Sequence, residues 1–343
     1  MIRTSPDIGS ATGRPRPGVL LINLGTPDAP RPAAVRRYLR EFLGDRRVVE
    51  LSPWLWRPLL ELAVLPWRPR RSAAAYRRIW LKDPTESPLR AATRSLAEKL
   101  QAQVAARDHA PVIDWAMRYG RPAIAERIEA LMAQGCDRLL VCPLYPQYAA
   151  ATTASALDAV FATFRGHRRL PAVRTLPPYY DHPAYIAALA NSVREHIAAM
   201  GWEPERLLLS FHGLPQAQVD AGDPYREQCG TTAKALRAAL GYDAEQAPLA
   251  YQSRFGPRAW LAPQLDDALV RLAREGVRDV MVITPGFATD CLETLEEVGM
   301  RSRARFLAAG GRRFSVVPCL NDSDAHVALL ATLIETEAAG WLS

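Results

Sequence analysis

Short apolar segments that end at glycine or proline alternate along the chain with longer segments of helical period. The longer segments, such as 122–134 and 263–275, are each followed by a glycine, Gly135 and Gly276. Strands alternating with helices are typical of βαβ units on a parallel sheet, so the pattern predicts an α/β fold. The predicted strands are residues 19–23, 112–116, 138–142, 207–211, 249–252 and 280–283.

The two halves of the chain resemble each other. The matching segments are GVLLINLGTP (18–27) with RLLLSFHGLP (206–215), APVIDWAMRYG (110–120) with APLAYQSRFG (247–256), and GCDRLLVCPLYPQY (135–148) with GVRDVMVITPGF (276–287). The separation is 188 residues from Gly25 to Gly213 but only 136 from Arg118 to Arg254. Two similar doubly wound domains are therefore expected, the first with an insertion at about 29–87. A chance likeness of generic βα units is the alternative.

This pattern sets the expected domain boundaries. Residues 1–17 are expected to be a disordered tail, 18–165 the first Rossmann-like domain and 166–319 the second. A C-terminal helix in 320–343 is expected to pack across both domains.

Composition narrows the function classes. Hydrophobic residues make up 49% and charged residues 23%, which is ordinary for a folded protein and excludes a disordered or disulfide-stapled chain. The net charge of +7 makes an anionic partner plausible. The arginines are scattered, without a Lys-rich tail or an aromatic–basic signature, so nucleic acid is not the expected partner.

Cysteines and apolar stretches indicate the compartment. Five cysteines without a C-x-x-C pair indicate reduced thiols in a cytosol and no zinc-ribbon or iron–sulfur frame. The N-terminus lacks the apolar region of a secretory signal, and the longest uncharged stretch, 139–157, is broken by Pro143 and Pro146. A soluble or at most peripheral protein is expected. Neither half contains G-x-G-x-x-G or G-x-x-x-x-G-K-[ST], so no nucleotide cofactor is expected.

Polar residues that follow the strands are the candidates for chemistry, because ligands of open α/β sheets bind at the carboxyl ends of the strands. His212 directly follows the strand at 207–211, in the turn SFHGLP. Gly213 and Pro215 would hold its imidazole in one direction, which favours a functional histidine. A turn histidine that only satisfies backbone groups is the alternative.

A second candidate follows the strand at 280–283, in TPGFATDCLETLEE (284–297). Helical spacing predicts that Glu293 and Glu297 share one face, with Glu296 at i+3 from Glu293 and Asp290 as the N-cap. A solvated acidic first turn is the alternative. A histidine plus a ladder of carboxylates from facing domains would suit proton removal or metal delivery.

Aromatic residues and arginines also lie near these strand ends. Each aromatic residue alone is more typical of a core, and each arginine either clamps a carboxylate or bridges two elements, with the bridge slightly favoured. The residues are Tyr145, Tyr148, Tyr251, Trp260, Phe287, Arg118 and Arg254.

Seven separated motifs occur in order between about residues 18 and 325. They are LLINLGTPDAP (20–30), YRRIW (76–80), LYPQYAAATTAS (144–155), SFHGLP (210–215), GDPY (222–225), YQSRFGPRAWLAPQLDD (251–267) and TPGFATDCLETLEE (284–297). Together they resemble the ferrochelatase family, the last enzyme of haem synthesis.

The resemblance implies two Rossmann-like domains with a porphyrin cleft between them and the insertion of Fe²⁺ into protoporphyrin IX. It implies that His212 is the catalytic base for the pyrrole protons and that Glu293 is a catalytic proton or metal relay, with Glu297 as the next carboxylate of the relay. His212 and Glu293 are also the implied metal ligands. The implied substrate-binding residues are Tyr148, Arg118, Trp260, Phe287 and Tyr251.

The resemblance also bears on cofactors. Many members have a histidine where this chain has Cys291, so no second imidazole is expected there. The last cysteine is Cys319, without the clustered cysteines of iron–sulfur members. No cofactor beyond the substrate Fe²⁺, and no iron–sulfur cluster, is expected.

The predicted insertion contains WLWRPLLELAVLPWRPRR (54–71), in which tryptophans alternate with arginines. Pro58 and Pro66 are expected to break its helix into short pieces. A core-facing helix is one interpretation. The other is a lip of the porphyrin cleft that contacts the inner face of the membrane, which gives a cytoplasmic, peripheral location.

Three other functions stay open at this point. They are a coproporphyrin ferrochelatase, a chelatase that loads cobalt or nickel, and a tetrapyrrole-binding module without turnover. The apolar insertion favours the more apolar substrate, protoporphyrin. The sequence does not indicate the protein that donates iron or porphyrin, or the oligomeric state.

Overall fold

The computed structural model describes residues 16–105 and 110–342. Most of the predicted tail at 1–17 lies outside the described residues, and its last two positions belong to the first strand. The described chain forms two compact units. Unit 1 contains the residues up to Leu144, Ala150–Pro177 and those from Asp322 onward, and unit 2 contains Tyr145–Ala149 and Pro178–Asn321.

Unit 1 is a parallel sheet with flanking helices. Its elements in chain order are β1 (Arg16–Thr26), α1 (Pro32–Gly44), α2 (Pro53–Leu59), the π-helix π1 (Leu60–Val64), α3 (Arg68–Ile79), α4 (Pro88–Val104), β2 (Val112–Gly120), α5 (Ile124–Ala133), β3 (Cys136–Pro143), the π-helix π2 (Ala150–Ala154), α6 (Ser155–Phe164) and β4 (Ala172–Thr175).

Unit 2 repeats this plan, and the chain then returns to unit 1 with a last helix. The elements of unit 2 are α7 (Pro183–Met200), β5 (Arg206–His212), α8 (Gln216–Asp220), α9 (Tyr225–Leu240), β6 (Leu249–Gln252), α10 (Leu265–Arg274), β7 (Asp279–Ile283), the π-helix π3 (Glu293–Ser302), α11 (Arg303–Ala308) and β8 (Arg313–Val316). The last helix is α12 (Asp324–Glu337).

The two sheets have the same strand order, β2-β1-β3-β4 and β6-β5-β7-β8, and all pairs are parallel. The predicted α/β class and the internal duplication are therefore confirmed. The central strands are continuous apolar runs, such as residues 19–22 of β1, which are at most 1% exposed. Helices on both faces of a parallel sheet require such runs. All six predicted strands are present, whereas the short, partly exposed β4 and β8 were not predicted.

The edge strands β2 and β6 are closed in the same way. In a parallel strand every second N–H points away from the paired neighbour, and an unpaired edge invites other strands. Met117 donates its N–H to Pro122 O at 2.8 Å, and Tyr251 donates to Pro263 O at 2.8 Å. Ile113 of β2 also donates its N–H to the side-chain oxygen of Gln101, which belongs to α4, at 2.8 Å. The duplication thus extends to an equivalent hydrogen bond on the outer side of β2 and of β6.

The division into units differs from the predicted domains in three places, the first being that Tyr145–Ala149, predicted within the first domain, belongs to unit 2. The boundary lies at 177/178 instead of 165/166, because β4 pairs with β3 through Arg138 and Ala172 and so completes the first sheet. The C-terminal helix α12, expected to pack across both domains, is grouped with unit 1, where it contacts α4. Ser95 and Lys99 of α4 bind the side chain of Asp322, just before this helix.

The segment 54–71 of the insertion begins with a helix that continues through Pro58, so the predicted break at that residue is wrong. Pro58 lies inside α2, which passes directly into π1. Proline lacks an N–H, and its ring crowds the carbonyl four residues earlier. After Pro58 the helix continues in the wider π form, in which the N–H of Leu65 donates to the carbonyl oxygen of Leu60, five residues earlier, at 2.9 Å. The break falls at Pro66, in the turn before α3.

Across 16–105 and 110–342, no helix is both long enough and apolar enough to cross a membrane.

Gly25 gives a direct test of the β1–β2 pairing. Its φ is +112°, and a Cβ there would lie 1.9 Å from the carbonyl oxygen of Tyr119. Because that atom is backbone and cannot swing away, Gly25→Ala should lower the free energy of unfolding by more than about 2 kcal/mol in urea titration. Gly230→Ala, in α9 with open space around it, should instead stabilise by about 0.5–1 kcal/mol. Equal effects of the two changes would contradict this packing.

Candidate active site

His212 is the last residue of β5, where it is paired with Gln252 of β6. Its Nδ1 lies 2.7 Å from the carbonyl oxygen of Gly213. A carbonyl only accepts, so Nδ1 carries the proton of this hydrogen bond, and a neutral ring presents Nε2 as an acceptor. A Cβ at Gly213 would lie 2.9 Å from Gln252 O, which explains the glycine of the turn. The predicted turn thus aims one basic nitrogen away from the backbone.

The acidic segment after β7 is a π-helix, π3, and not the predicted α-helix. Glu293 and Glu297 are half-buried on it, so the alternative of a solvated acidic turn does not hold. Burial raises the pKa of Glu297, and the negative charge of Glu293 raises it further. A hydrogen bond from Ser253 and the charges of Arg301 and His212 oppose this shift. Glu297 thus interacts electrostatically with both Glu293 and His212. All three residues belong to unit 2, so they do not come from facing domains as predicted.

The wide helix separates Glu296 from the other two carboxylates. Glu296 is only 3% exposed, and its Oε2 lies 2.9 Å from Nε of Arg301, five residues later. A second nitrogen of Arg301 lies 3.4 Å from Oε2 of Glu297. Because an i→i+5 helix turns less per residue than an α-helix, residues five apart become neighbours. Glu296 and Arg301 are therefore a structural pair.

Asp290 is not the predicted N-cap, because Leu292 occupies that position and Asp290 binds side chains instead. Its two carboxylate oxygens accept hydrogen bonds from Thr294 Oγ1 at 2.8 Å and Asn321 Nδ2 at 2.7 Å. These contacts fasten the start of π3 to the segment after β8.

Ser253 and Gln252 are site residues that the sequence analysis did not single out. Ser253 Oγ donates to Oε2 of Glu297 at 2.8 Å, and its φ of +66° is unusual for a serine. Gln252 Nε2 donates to the carbonyl oxygen of Glu293 at 3.0 Å. The available signal was their position after β6, equivalent to that of His212 at the end of β5.

The predicted aromatic residues of unit 2 have different surroundings. The ring of Phe287 lies 6.4 Å from that of His212, and Trp260, bridged to Pro215 in the His212 turn, donates Nε1–H to Phe255 O at 2.9 Å. Tyr148 is half-buried, and its backbone N–H donates to Gln228. Tyr251 is only 3% exposed, so contact with a substrate would require a rearrangement.

Arg118 belongs to unit 1, where it bridges elements. Its Nη2 lies 2.6 Å from Oδ2 of Asp45, and its Nε donates to both Ser155 oxygens. The same Asp45 oxygen accepts from Tyr119 and Ser155, while the guanidinium lies over the Tyr119 ring. Hydrogen bonds from Ser155, Arg47 N–H and Tyr119 outweigh burial and lower the pKa of Asp45.

The cysteines carry no disulfide, and all five are free thiols. Cys291 is buried, and burial raises its pKa, so the thiol stays neutral beside Glu293. Among the residues that the structure describes, no three His, Cys, Asp or Glu side chains converge on a site that could hold a metal ion.

Comparison with known proteins assigns the family. A family model described as Ferrochelatase matches residues 16–338. The chain belongs to the ferrochelatase family. It is 51% identical over 332 residues to a ferrochelatase of Rhizobium meliloti (strain 1021), covering 97% of this chain and 98% of that protein. It is 50% identical over 327 residues to one of Rhodopseudomonas palustris (strain BisB5), with 95% and 94% covered. Ferrochelatases insert metal into porphyrin in haem biosynthesis, which is the function of this chain.

Solved structures agree with the fold of this ferrochelatase. The sirohydrochlorin chelatase SirB from Bacillus subtilis subspecies spizizenii, in complex with cobalt, matches with a TM-score of 0.52 and 12% identity, covering 94% of this chain and 95% of that one. CbiX, an enzyme of sirohaem biosynthesis in denitrifying bacteria, matches with a TM-score of 0.50 and 18% identity, covering 93% and 98%. At these identities the likeness concerns the fold alone.

The raised pKa of Glu297 predicts a pH-dependent stability in this ferrochelatase. Because the folded protein holds the proton more tightly than the unfolded chain, ionising Glu297 costs stability as pH rises through the folded pKa. Glu297→Gln removes this cost. Its Tm should exceed that of the wild type at pH 8, and the difference should shrink as pH falls from the raised pKa of the folded state to the ordinary pKa of 4.5. A gain that is equal at pH 4 and pH 8 in calorimetry would contradict the assignment.

Proposed function

We propose that this ferrochelatase inserts Fe²⁺ into protoporphyrin IX to form protohaem. The observation that carries the proposal is the grouping of an imidazole, whose Nε2 is available as an acceptor, with two half-buried carboxylates on π3. Insertion replaces two pyrrole N–H protons by one divalent cation, so the site must take up two protons and release a desolvated metal. Both requirements match the groups present.

His212 acts as the general base in this proposal. Its hydrogen bond to Gly213 O fixes the Nδ1–H tautomer, and Nε2 takes the pyrrole proton. Glu297, whose pKa is raised by burial, holds a proton more readily than an exposed carboxylate. It therefore passes protons from the site towards solvent, on the side of Arg301.

Glu293 and His212 are the proposed transient ligands of Fe²⁺, with Nε2 of His212 bound to the metal only before it takes the pyrrole proton. Carboxylate oxygen and imidazole nitrogen bind Fe²⁺ without the strong retention of thiolates, which suits a metal that must leave for the porphyrin. Cys291 is close to Glu293, but its side chain is buried. Iron enters this scheme only as substrate, and no further cofactor is proposed.

The porphyrin contacts remain proposals for individual residues. Phe287 and Trp260 flank the His212 turn and are proposed as walls that hold a distorted macrocycle, with Tyr148 as a further contact. Tyr251 would become a contact only after a rearrangement that exposes its ring. Arg118 uses Nε and Nη2 for Ser155 and Asp45, so it would meet a porphyrin carboxylate through Nη1.

Anaerobic assays with Fe²⁺ and either protoporphyrin or coproporphyrin test the function. We expect haem formation with protoporphyrin as the better substrate and a loss of turnover of about 10²–10⁴-fold in His212→Ala, because the base is removed. Porphyrin affinity, measured by fluorescence quenching, should change little since the pocket walls remain. A His212→Ala rate near that of the wild type would contradict the role of His212, and no haem with either porphyrin would contradict the function.

We further propose a cytoplasmic location with peripheral contact to the inner face of a membrane. The insertion exposes an apolar lip made of Trp54, Leu55, Leu59, Leu62 and Trp67, which are 49–89% exposed. Arg57, Arg70 and Arg71 are exposed in the same segment. Exposed tryptophans beside arginines suit an anionic lipid surface, each cation being worth about 1 kcal/mol there.

The three tryptophans of this segment do not share one environment. Trp56 is buried, and its Nε1 donates to the carbonyl oxygen of Leu43 at 2.6 Å. Leu60 and Leu65 are buried as well. The interpretation as a core-facing segment therefore holds for Trp56, Leu60 and Leu65. The proposed membrane lip consists of the exposed residues of the segment.

Co-sedimentation with anionic liposomes tests the lip. Replacing Trp54 and Trp67 together by Ala should weaken binding by about tenfold, because two exposed aromatic side chains leave the interface, and added salt should weaken it further. Phe161→Ala, which removes a 50% exposed aromatic ring on α6 outside the lip, is the matched control and should bind as the wild type does. Unchanged binding of the tryptophan variant would contradict the membrane contact.

A further inference from the structure

We propose that Gln252 is a positioning residue that fixes Glu293 relative to His212, with Ser210 orienting its side-chain amide. The proposal rests on the proposed function, in which His212 and Glu293 act on the pyrrole protons and the metal. Gln252 is the last residue of β6 and is only 2% exposed. It contacts the chain on both sides of the site.

The backbone of Gln252 fixes the histidine turn. The β5–β6 register pairs His212 with Gln252. The N–H of Gly213, whose carbonyl holds the imidazole of His212, donates to Gln252 O at 2.6 Å. The direction of the imidazole thus depends on the position of the Gln252 backbone.

The side chain of Gln252 fixes the glutamate. Its Nε2 donates to the carbonyl oxygen of Glu293, the first residue of π3, at 3.0 Å. The first N–H groups of a helix have no intrahelical partner, so a contact from outside adds a bond that holds this end of the helix in place. The same residue that holds the His212 turn therefore anchors the backbone that carries the Glu293 carboxylate.

Ser210 determines which way the amide points. Ser210 Oγ, on β5, is fully buried and donates to Oε1 of Gln252 at 2.8 Å. The NH₂ group is then directed at the Glu293 carbonyl, which only accepts. A rotated amide would place Oε1 against that carbonyl and leave the NH₂ on the serine side. Ser210 acts on Glu293 only through Gln252.

The next residue extends the same contact to the second carboxylate. Ser253 Oγ binds Glu297, so consecutive residues at the end of β6 bind π3 at positions 293 and 297. The left-handed φ of Ser253 turns the chain so that this second side chain also reaches the helix. Gln252 and Ser253 thereby hold both glutamates in position relative to β6, which is paired with the strand that carries His212.

Gln252→Met keeps the length of the side chain and removes both of its hydrogen bonds. We expect kcat for iron insertion to fall about 10–100-fold, as for other residues that orient reacting groups, with the KM for porphyrin within about twofold of the wild type. Ser210→Ala should give a smaller loss of kcat, because the amide keeps its length but loses its orientation. Gln101→Met, which removes a glutamine that also bonds backbone groups in unit 1, is the matched control and should leave kcat and KM unchanged.

The double variant separates positioning from stability. Gln252→Met alone leaves the buried Ser210 hydroxyl without its partner, which lowers the Tm. Adding Ser210→Ala should restore part of the Tm but should leave kcat at the level of Gln252→Met, because Ser210 acts only through the amide. A kcat that recovers together with the Tm would overturn the proposal, as would a kcat near that of the wild type in Gln252→Met.

Failure of the proposed function has a different outcome. In that case the wild-type protein would form no haem, and the positioning claim would rest on the crystal structure of Gln252→Met. We expect the start of π3 in that variant to move by more than about 0.5 Å, the tolerance of a preorganised site. An unmoved Glu293 backbone would overturn the proposal in either case.

Discussion

The parallel pairing of β5 with β6 and β7 is the constraint on which the candidate site depends. It brings the carboxyl ends of three strands together at one end of the second sheet. Gln252, His212 and the segment leading to π3 lie there side by side, in the order of β6, β5 and β7. The three strands are largely buried, so a shift of register by one residue would turn their side chains to the opposite face. The strand register that packs the sheet is therefore also the register that positions the candidate site residues.

The π-helix adds what an α-helix would not provide. In the wide helix, Glu293 and Glu297 remain neighbours, while Glu296 turns into the protein and binds Arg301. One acidic segment thus supplies two carboxylates to the site and one ion pair that holds the helix. Burial then raises the pKa of Glu297, which separates its behaviour from that of an exposed glutamate.

The sequence predicted the α/β class, the duplication and the place of His212 and the glutamates after strands, because these depend on apolar periodicity and on the rule that ligands bind at strand ends. It did not predict the π-helices or the continuation of α2 through Pro58, because local propensity does not distinguish i→i+4 from i→i+5 bonding. Gln252 and Ser253 were missed because their importance comes from hydrogen bonds between residues 41 and 44 positions apart. The division of the tryptophans into buried Trp56 and exposed Trp54 likewise depends on tertiary packing.

In the proposed mechanism, a single imidazole, held by the backbone of its own turn, faces the pyrrole nitrogens of the bound porphyrin beside two carboxylates. A crystal structure of the protein with metal-free protoporphyrin, grown without iron, tests it most directly. We expect Nε2 of His212 to lie within hydrogen-bond reach of a pyrrole nitrogen, about 2.6–3.2 Å or one water away, with Nδ1 still bonded to Gly213. A well-ordered porphyrin whose nitrogens lie beyond that reach of His212 would contradict it.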